Sequence, residues 1–63
     1  MIIKELREQK GWSQSDLSLN AGVKISVIQK WEQGLITLKV SSGENLLKVA
    51  KALDTTVEEL LKE

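Results

Sequence analysis

The chain has 63 residues, with nine Lys or Arg and nine Asp or Glu, and it contains neither His nor Cys. This length allows one small domain, because chains of this size bury only about 60% of their extended surface. Without Cys there is no disulfide and no thiolate site, and without His a metal site would need carboxylates alone, which are not clustered. We therefore expect one domain over residues 1–63 with no metal and no cofactor.

The sequence carries no sign of membrane insertion or export. No apolar run approaches the ~20 residues of a membrane span. The start, MIIKEL, lacks the basic flank and long apolar stretch of a signal peptide. These features favour a soluble cytoplasmic protein. Its net charge is zero, but residues 1–39 are mildly basic and residues 40–63 mildly acidic.

The first predicted helix covers residues 2–10 and has one apolar side. Ile3 lies on that side, and Arg7 follows four residues later on the same side. Gly11 then ends the helix, since Gly accepts the positive φ found just past helix ends. Arg7 is therefore predicted to point inward, where a charge needs a partner.

The second predicted helix starts at a Ser13 cap. Asp16 follows at capping-box spacing, so each residue is expected to bond the other's backbone. Trp12 precedes the cap and Leu17 falls at the fourth helical position, which is the spacing of a hydrophobic staple. This spacing favours packing of Trp12 over a role as a stacking platform for bases. Gly22 ends the helix.

The third predicted helix has an apolar and a polar side when its residues are placed about 100° apart. The apolar side holds Val27, Ile28, Trp31 and Glu32. The polar side holds Ser26, Gln29, Lys30 and Gln33, with Ile25 at its edge. Hydrogen-bonding side chains with one cation are the groups that recognise base edges in a major groove. Any exposed helix face is polar, however, so this pattern alone does not distinguish a DNA-reading face from an ordinary solvent-exposed one.

The stretch from Gln14 to Gly34 resembles the helix-turn-helix of the phage-repressor and Cro-like (XRE-type) bacterial DNA-binding proteins. The resemblance rests on Gln14, Leu17, Ala21, Gly22, Val23, Ile28, Trp31, Glu32 and Gly34. Ser18 stands where the family usually has Ala. The flanking helices match as well, so nearly the whole chain is covered. The resemblance implies an all-α fold: a compact five-helix lambda-repressor-like DNA-binding domain with the helix-turn-helix at helices 2 and 3.

Lys24, at the start of the third helix, departs from the family, which usually has Ser or Thr there. Lys cannot accept a hydrogen bond from the unpaired N–H groups of the first turn. Its charge is also unfavourable at the positive end of the helix dipole. A nearby phosphate would reverse this penalty. The departure is thus compatible with DNA contact and equally with tolerated drift.

The segment 35–41 is longer and more apolar than its counterpart in the family, which has about four polar residues before the next helix. It leads to a Ser42 cap, and Gly43 replaces a large apolar residue of the family. One interpretation folds the segment back into the core to fill the gap at Gly43. The other exposes it to a second subunit. The candidate dimer contacts are Ile36, Leu38 and Val40, and a mixed arrangement would put Leu35 and Leu38 inside with Ile36 or Val40 outside.

Two further helices complete the predicted domain. The fourth covers residues 43–53, with apolar residues at helical spacing. Asp54 follows where the family often has Gly, and Asp tolerates the left-handed region better than most residues. The fifth helix, residues 57–62, begins after Thr56, which forms a second predicted capping box with Glu59.

By resemblance, the recognition helix 25–33 enters the major groove and the second helix crosses the backbone. The implied function is sequence-specific binding of double-stranded operator DNA as a transcriptional regulator, and we expect a repressor. The protein would be encoded by a bacterium or a phage and would act as a homodimer on the nucleoid in the cytoplasm. The candidate base contacts are Ser26, Gln29 and Lys30, with Ile25 either on a thymine methyl or a sign of weak specificity. The candidate phosphate contacts are Gln14, Lys24 and Lys39. Arg7 and Glu32 are the implied structural ion pair.

The sequence bears on two other classes of function. An enzyme is disfavoured because the chain has no His or Cys nucleophile pair, no phosphate-cradling Gly-rich loop and no converging carboxylates. A protein-interaction module on the same fold, such as an antitoxin-like partner or a decayed DNA binder, is the alternative. Zero net charge, few Arg residues and the apolar 35–40 loop favour that alternative. No membrane partner and no small-molecule ligand are indicated.

Overall fold

The computed structural model describes residues 1–62, which form five α-helices and one short 3₁₀ turn with no strand between them. The elements are α1 (Ile2–Gln9), α2 (Gln14–Ala21), α3 (Ile25–Glu32), the 3₁₀ turn (Leu38–Val40), α4 (Gly43–Ala52) and α5 (Val57–Leu61). The predicted all-α, five-helix fold is confirmed, with helix ends within one residue of those expected. The 3₁₀ turn was not predicted. Within residues 1–62, no helix has the length and apolar character to cross a membrane.

Local signals define the helix ends. Ser13 Oγ accepts from the Asp16 N–H at 3.1 Å, and Asp16 Oδ2 accepts from the Ser13 N–H at 2.8 Å, which confirms the capping box of α2. Ser42 caps α4 as predicted, accepting from the Asn45 N–H. Thr56 Oγ1 accepts from the Glu59 N–H at 3.1 Å, but the Glu59 carboxylate pairs with Lys62. The second predicted capping box is therefore only half formed: Thr56 caps α5, and the reciprocal bond from the Glu59 carboxylate is not seen in the described residues.

Asp54 adopts the left-handed conformation expected of it, with φ at 56°. It follows α4 at the position where the chain reverses toward α5. Its Oδ2 also accepts a hydrogen bond from Lys10 Nζ at 2.8 Å, on the surface. A short polar side chain thus serves in place of the glycine that this turn favours.

Every element contributes to a single hydrophobic core. Its buried apolar side chains are Ile3, Leu17, Val23, Ile28, Trp31, Leu38, Leu46, Val49, Ala50, Leu53 and Leu60. Helix α2 packs against α3 and α4, and α5 packs against α4 and the 3₁₀ turn. Trp12 is half-buried against this core, as the staple spacing predicts. This packing fixes the inner side of α3 and leaves its other side exposed.

The segment between α3 and α4 divides its apolar side chains between core and surface. Leu38 is 8% exposed, so the prediction that it is a dimer contact is wrong. Leu35 is 67% exposed, contrary to the mixed arrangement that placed it inside, and its N–H donates to the Lys30 carbonyl at 2.9 Å just past the end of α3. Val40 is 79% exposed, and Ile36 packs partly against the core.

Gly43 does not leave a gap for this segment to fill. A Cβ placed on it would meet no atom within 4 Å, and the residue is exposed at the start of α4. The interpretation that the segment folds back to replace a missing side chain at Gly43 is therefore wrong. Leu38 enters the core through the 3₁₀ turn, whose neighbour in the packing is α5.

Candidate nucleic-acid interface

The polar side of α3 forms an exposed surface, as its sequence predicts. Ile28 and Trp31 are at most 1% exposed on the inner side, with Val27 and Glu32 partly buried beside them. The candidate base contacts are all exposed: Ser26, Gln29, Lys30 and, at 37%, Ile25. Successive turns of α3 thus present a hydroxyl, an amide, a cation and an aliphatic group on the same side.

The turn between α2 and α3 is closed by three hydrogen bonds around Ser18. Gly22, at φ +72°, donates its N–H to the Ser18 carbonyl at 2.9 Å, and the Val23 N–H donates to the same oxygen at 3.3 Å. Ser18 Oγ in turn donates to the Val23 carbonyl at 2.6 Å. The sequence showed only that Ser18 replaces the usual Ala, and this bond of its hydroxyl was not predicted from it.

Arg7 and Glu32 form the ion pair that the resemblance implies, and the contact is bidentate. Arg7 Nε donates to Glu32 Oε2 and Nη2 donates to Oε1, both at 2.9 Å. Arg7 Nη1 donates to the Trp12 carbonyl at 2.6 Å. The two charged side chains are 10% and 6% exposed, so the pair is shielded from water. It joins the inner side of α3 to α1 and to the turn before α2.

The pKa values of the pair reflect this contact. Burial alone would raise the pKa of Glu32, but hydrogen bonds from Arg7 and Gln14 and the Arg7 charge outweigh it and lower the pKa. The hydrogen bond to Glu32 raises the pKa of Arg7 despite its burial. Both groups are therefore held in their charged forms.

Gln14 has a role that sequence analysis did not anticipate. Its Nε2 donates to Glu32 Oε1 at 3.1 Å, so its side chain is tied to α3. This contact uses one of the two N–H groups of the amide. Gln14 is partly buried at the first position of α2, where the resemblance implies a phosphate contact. The contact with Glu32 fixes the start of α2 relative to α3.

The remaining candidate cations lie at the two sides of α3. Lys24 occupies the N-cap of α3, is exposed, and makes no side-chain cap hydrogen bond, as predicted. Lys39 is exposed in the 3₁₀ turn beyond the end of α3. Lys24 is therefore on the same helix as the candidate base contacts. Lys39 lies in the 3₁₀ turn, and other residues determine how that turn is held against α3.

An apolar cleft of about 440 Å³ lies beside the 3₁₀ turn. Its walls include Met1, Trp31, Ile36, Leu38, Leu60 and Leu61. The exposed Leu35 and Val40 adjoin it along the chain. In residues 1–62 no three carboxylates are grouped in a way that would hold a metal ion.

Two comparisons with known proteins match this arrangement. A family model described as helix-turn-helix matches residues 3–60. The N-terminal DNA-binding domain of SinR from Bacillus subtilis is 39% identical, with a TM-score of 0.88 over 97% of this chain and 86% of that one. A comparison with curated proteins gives no significant match. Because the family match spans all five helices, the chain belongs to the helix-turn-helix family, in the XRE-type group that its sequence resembles.

Proposed function

We propose that this chain is the DNA-binding domain of a transcriptional regulator, a repressor that recognises double-stranded operator DNA with α3 in the major groove. The observation that carries the proposal is the exposed polar side of α3, held outward by a buried inner side. A helix of this width fits the major groove, where base pairs present distinct donor and acceptor patterns. Such a domain acts on the nucleoid, in the cytoplasm of a bacterium.

The side chains on α3 suit different bases. Lys30 favours guanine, Gln29 favours adenine, and Ser26 accepts several bases. Ile25, at the edge of the face, suits a thymine methyl group. Lys24, Lys39 and the start of α2 at Gln14 are the proposed phosphate contacts, which position the domain without specifying sequence.

A homodimer on DNA is part of this proposal. Helix-turn-helix domains bind two-fold half-sites about 34–36 Å apart, so two copies face each other across the axis. The proposed contact is formed by Leu35 and Val40, which are exposed, and by Ile36, which is partly buried in the wall of the cleft. This surface is small compared with stable interfaces of ~1,600 Å². We therefore expect the two copies to associate on the operator rather than free in solution.

A protein-interaction module is the second candidate. Zero net charge and the exposed Leu35 and Val40 favour it, because both features suit a protein partner as well as a second copy. Catalysis is not proposed for this domain: its side chains include no His or Cys, and domains of this family bind rather than catalyse.

Selection of bound duplexes from a random DNA pool tests the proposed function. The expected result is an enriched motif of two inverted half-sites about one helical turn apart. A variant in which Ser26, Gln29 and Lys30 are all replaced by Ala serves as the control and should enrich nothing. If the parent protein enriches no motif and binds no duplex at low salt, the interaction-module function replaces the proposed one.

A further inference from the structure

A hydrogen-bond relay connects the inner side of α3 to the 3₁₀ turn. The indole Nε1 of Trp31 donates to Ser41 Oγ at 2.7 Å, and the Ser41 hydroxyl donates to the Thr37 carbonyl at 2.8 Å. Trp31 is 1% exposed, so its indole N–H has no access to bulk water. The Ser41 hydroxyl acts as acceptor and donor at once, which fixes its orientation.

The relay and one apolar contact hold the turn on both sides of Lys39. Leu38, the residue before it, is 8% exposed in the core next to α5. Ser41, two residues after it, is bound to Trp31, and its N–H donates to the Leu38 carbonyl at 3.1 Å. Lys39 itself is exposed. Its backbone is therefore fixed relative to α3, and its exposed side chain borders the apolar cleft.

We propose that Ser41 is a positioning residue for DNA binding: by joining the 3₁₀ turn to Trp31, it holds Lys39 where the cation meets a phosphate of the duplex that α3 enters. This inference rests on the proposed function and adds a residue to it that touches no DNA. Fixing the backbone beforehand lowers the conformational entropy that Lys39 loses when it binds. A Lys on an unattached loop would contribute less to affinity.

The experiment is a double-mutant cycle of Lys39→Ala and Ser41→Ala, with binding to a short duplex of mixed sequence measured across a salt series. A phosphate contact is independent of sequence, so this probe suffices. Lys39→Ala should lower affinity roughly three- to tenfold and reduce the log–log salt slope by about 0.9. Ser41→Ala should weaken binding by a similar factor and reduce the log–log salt slope by a similar amount. The double variant should bind no worse than either single variant, because both remove the same contact.

Two controls separate positioning from stability. Thr56→Ala removes the cap hydroxyl of α5 and should destabilise the fold without changing the salt slope. Ser41→Thr keeps a hydroxyl and should restore the slope. Hydrogen exchange of the Trp31 indole N–H is followed by NMR below the melting temperature of every variant. In Ser41→Ala it should accelerate by more than the loss of unfolding free energy explains, and in Thr56→Ala only by the factor that this loss predicts.

Two outcomes would overturn the inference, and they differ. If the parent binds the duplex but the effects of Lys39→Ala and Ser41→Ala simply add, or Ser41→Ala keeps the full slope, Ser41 does not position Lys39 and the proposed function stands. If the parent binds no duplex at low salt, the proposed function fails and the inference fails with it.

Discussion

Arg7 joins three parts of the chain through one guanidinium group. It donates to Glu32 on α3 and to the Trp12 carbonyl before α2, while its own backbone belongs to α1. Gln14 adds a further donor to the same Glu32 carboxylate. Sequence spacing predicted that Arg7 and Glu32 face inward, and opposite buried charges are expected to pair. The contacts of Trp12 and Gln14 depend on how the helices pack, so no spacing rule predicts them.

Replacing Arg7 with Ala should destabilise the domain by roughly 3–5 kcal/mol, because Glu32 would remain buried without its main partner. A loss of this size is comparable to the whole stability of so small a domain. The measurement is urea unfolding followed by circular dichroism. Gln9→Ala, which shortens an exposed side chain on the same helix, is the control and should change little. An Arg7→Ala protein that unfolds at the parent's urea midpoint would show that the pair contributes nothing.

The lowered pKa of Glu32 predicts a loss of stability in acid. In the unfolded chain a glutamate titrates near its ordinary pKa of about 4.3. The contribution of Glu32 is therefore complete above that pH, declines as the pH falls below it, and is lost once the pH lies below the folded pKa. Urea midpoints of the parent and of Glu32→Gln, measured from neutral pH into this range, test the prediction.

The expected result of that comparison is a smaller acid-induced loss in Glu32→Gln than in the parent. Glu44→Gln is the matched control, since it removes a carboxylate from an exposed pair on α4. It should keep most of the parent's acid dependence. Equal acid dependence in Glu32→Gln and the parent would contradict the assignment of this titration to Glu32.

At the scale of the elements, the helices were predictable and the turn between α3 and α4 was not. Ser13, Ser42 and Thr56 are local signals, and each caps the helix that follows it. The 3₁₀ turn depends instead on the burial of Leu38 and on the bond between Trp31 and Ser41, which lie ten residues apart. Apolar spacing over a few residues does not distinguish a buried side chain from an exposed one there.

The N-terminus of α3 offers a prediction about stability and affinity together. Lys24→Ser should stabilise the fold by about 0.5–2 kcal/mol, because a hydroxyl can cap the first turn where Lys makes no cap bond. The same change should weaken DNA binding and reduce the salt slope by about 0.9, since one phosphate contact is lost. Thermal unfolding and a salt series of binding measure the two effects.

Lys24→Ala is the control for this change, because it removes the charge without adding a cap. Lys24→Ala should weaken DNA binding by the same factor as Lys24→Ser, but it should not show the stability that the Ser hydroxyl adds by capping α3. If Lys24→Ser binds DNA as tightly as the parent, Lys24 contacts no phosphate, and its presence at the N-cap has no explanation in DNA binding.

At the scale of the whole molecule, the division between core and surface raises the question of a second copy. The buried apolar side chains form one core, and the exposed large ones are Leu19, Ile25, Leu35, Val40 and Leu47. Leu35 and Val40 adjoin the cleft formed by the 3₁₀ turn and α5. The sequence indicated an apolar segment that a small core cannot absorb completely. It did not indicate which side chains stay outside, since that depends on the turn.

Changing Leu35 and Val40 together to Ser should leave the monomer folded, because both side chains are mostly exposed. Binding to a two-half-site operator should lose its cooperative dependence on protein concentration, while binding to a single half-site should stay unchanged. Gel-shift titrations on both duplexes measure this. Leu47→Ser, on α4, is the control and should keep the cooperativity. Unchanged cooperativity in the Leu35 and Val40 variant would place the dimer contact elsewhere.

The most direct measurement of the central claim, that α3 recognises bases, compares the sequence preferences of Lys30→Ala and Lys39→Ala on the selected duplex and all its single-base changes. Lys30→Ala should cost roughly 1–3 kcal/mol on the preferred site and relax the preference at one base position. Lys39→Ala should weaken binding to all the duplexes alike, because a phosphate contact carries no sequence information. If both variants lower affinity uniformly and no base position is relaxed, Lys30 contacts only phosphate and the assigned role of α3 is wrong.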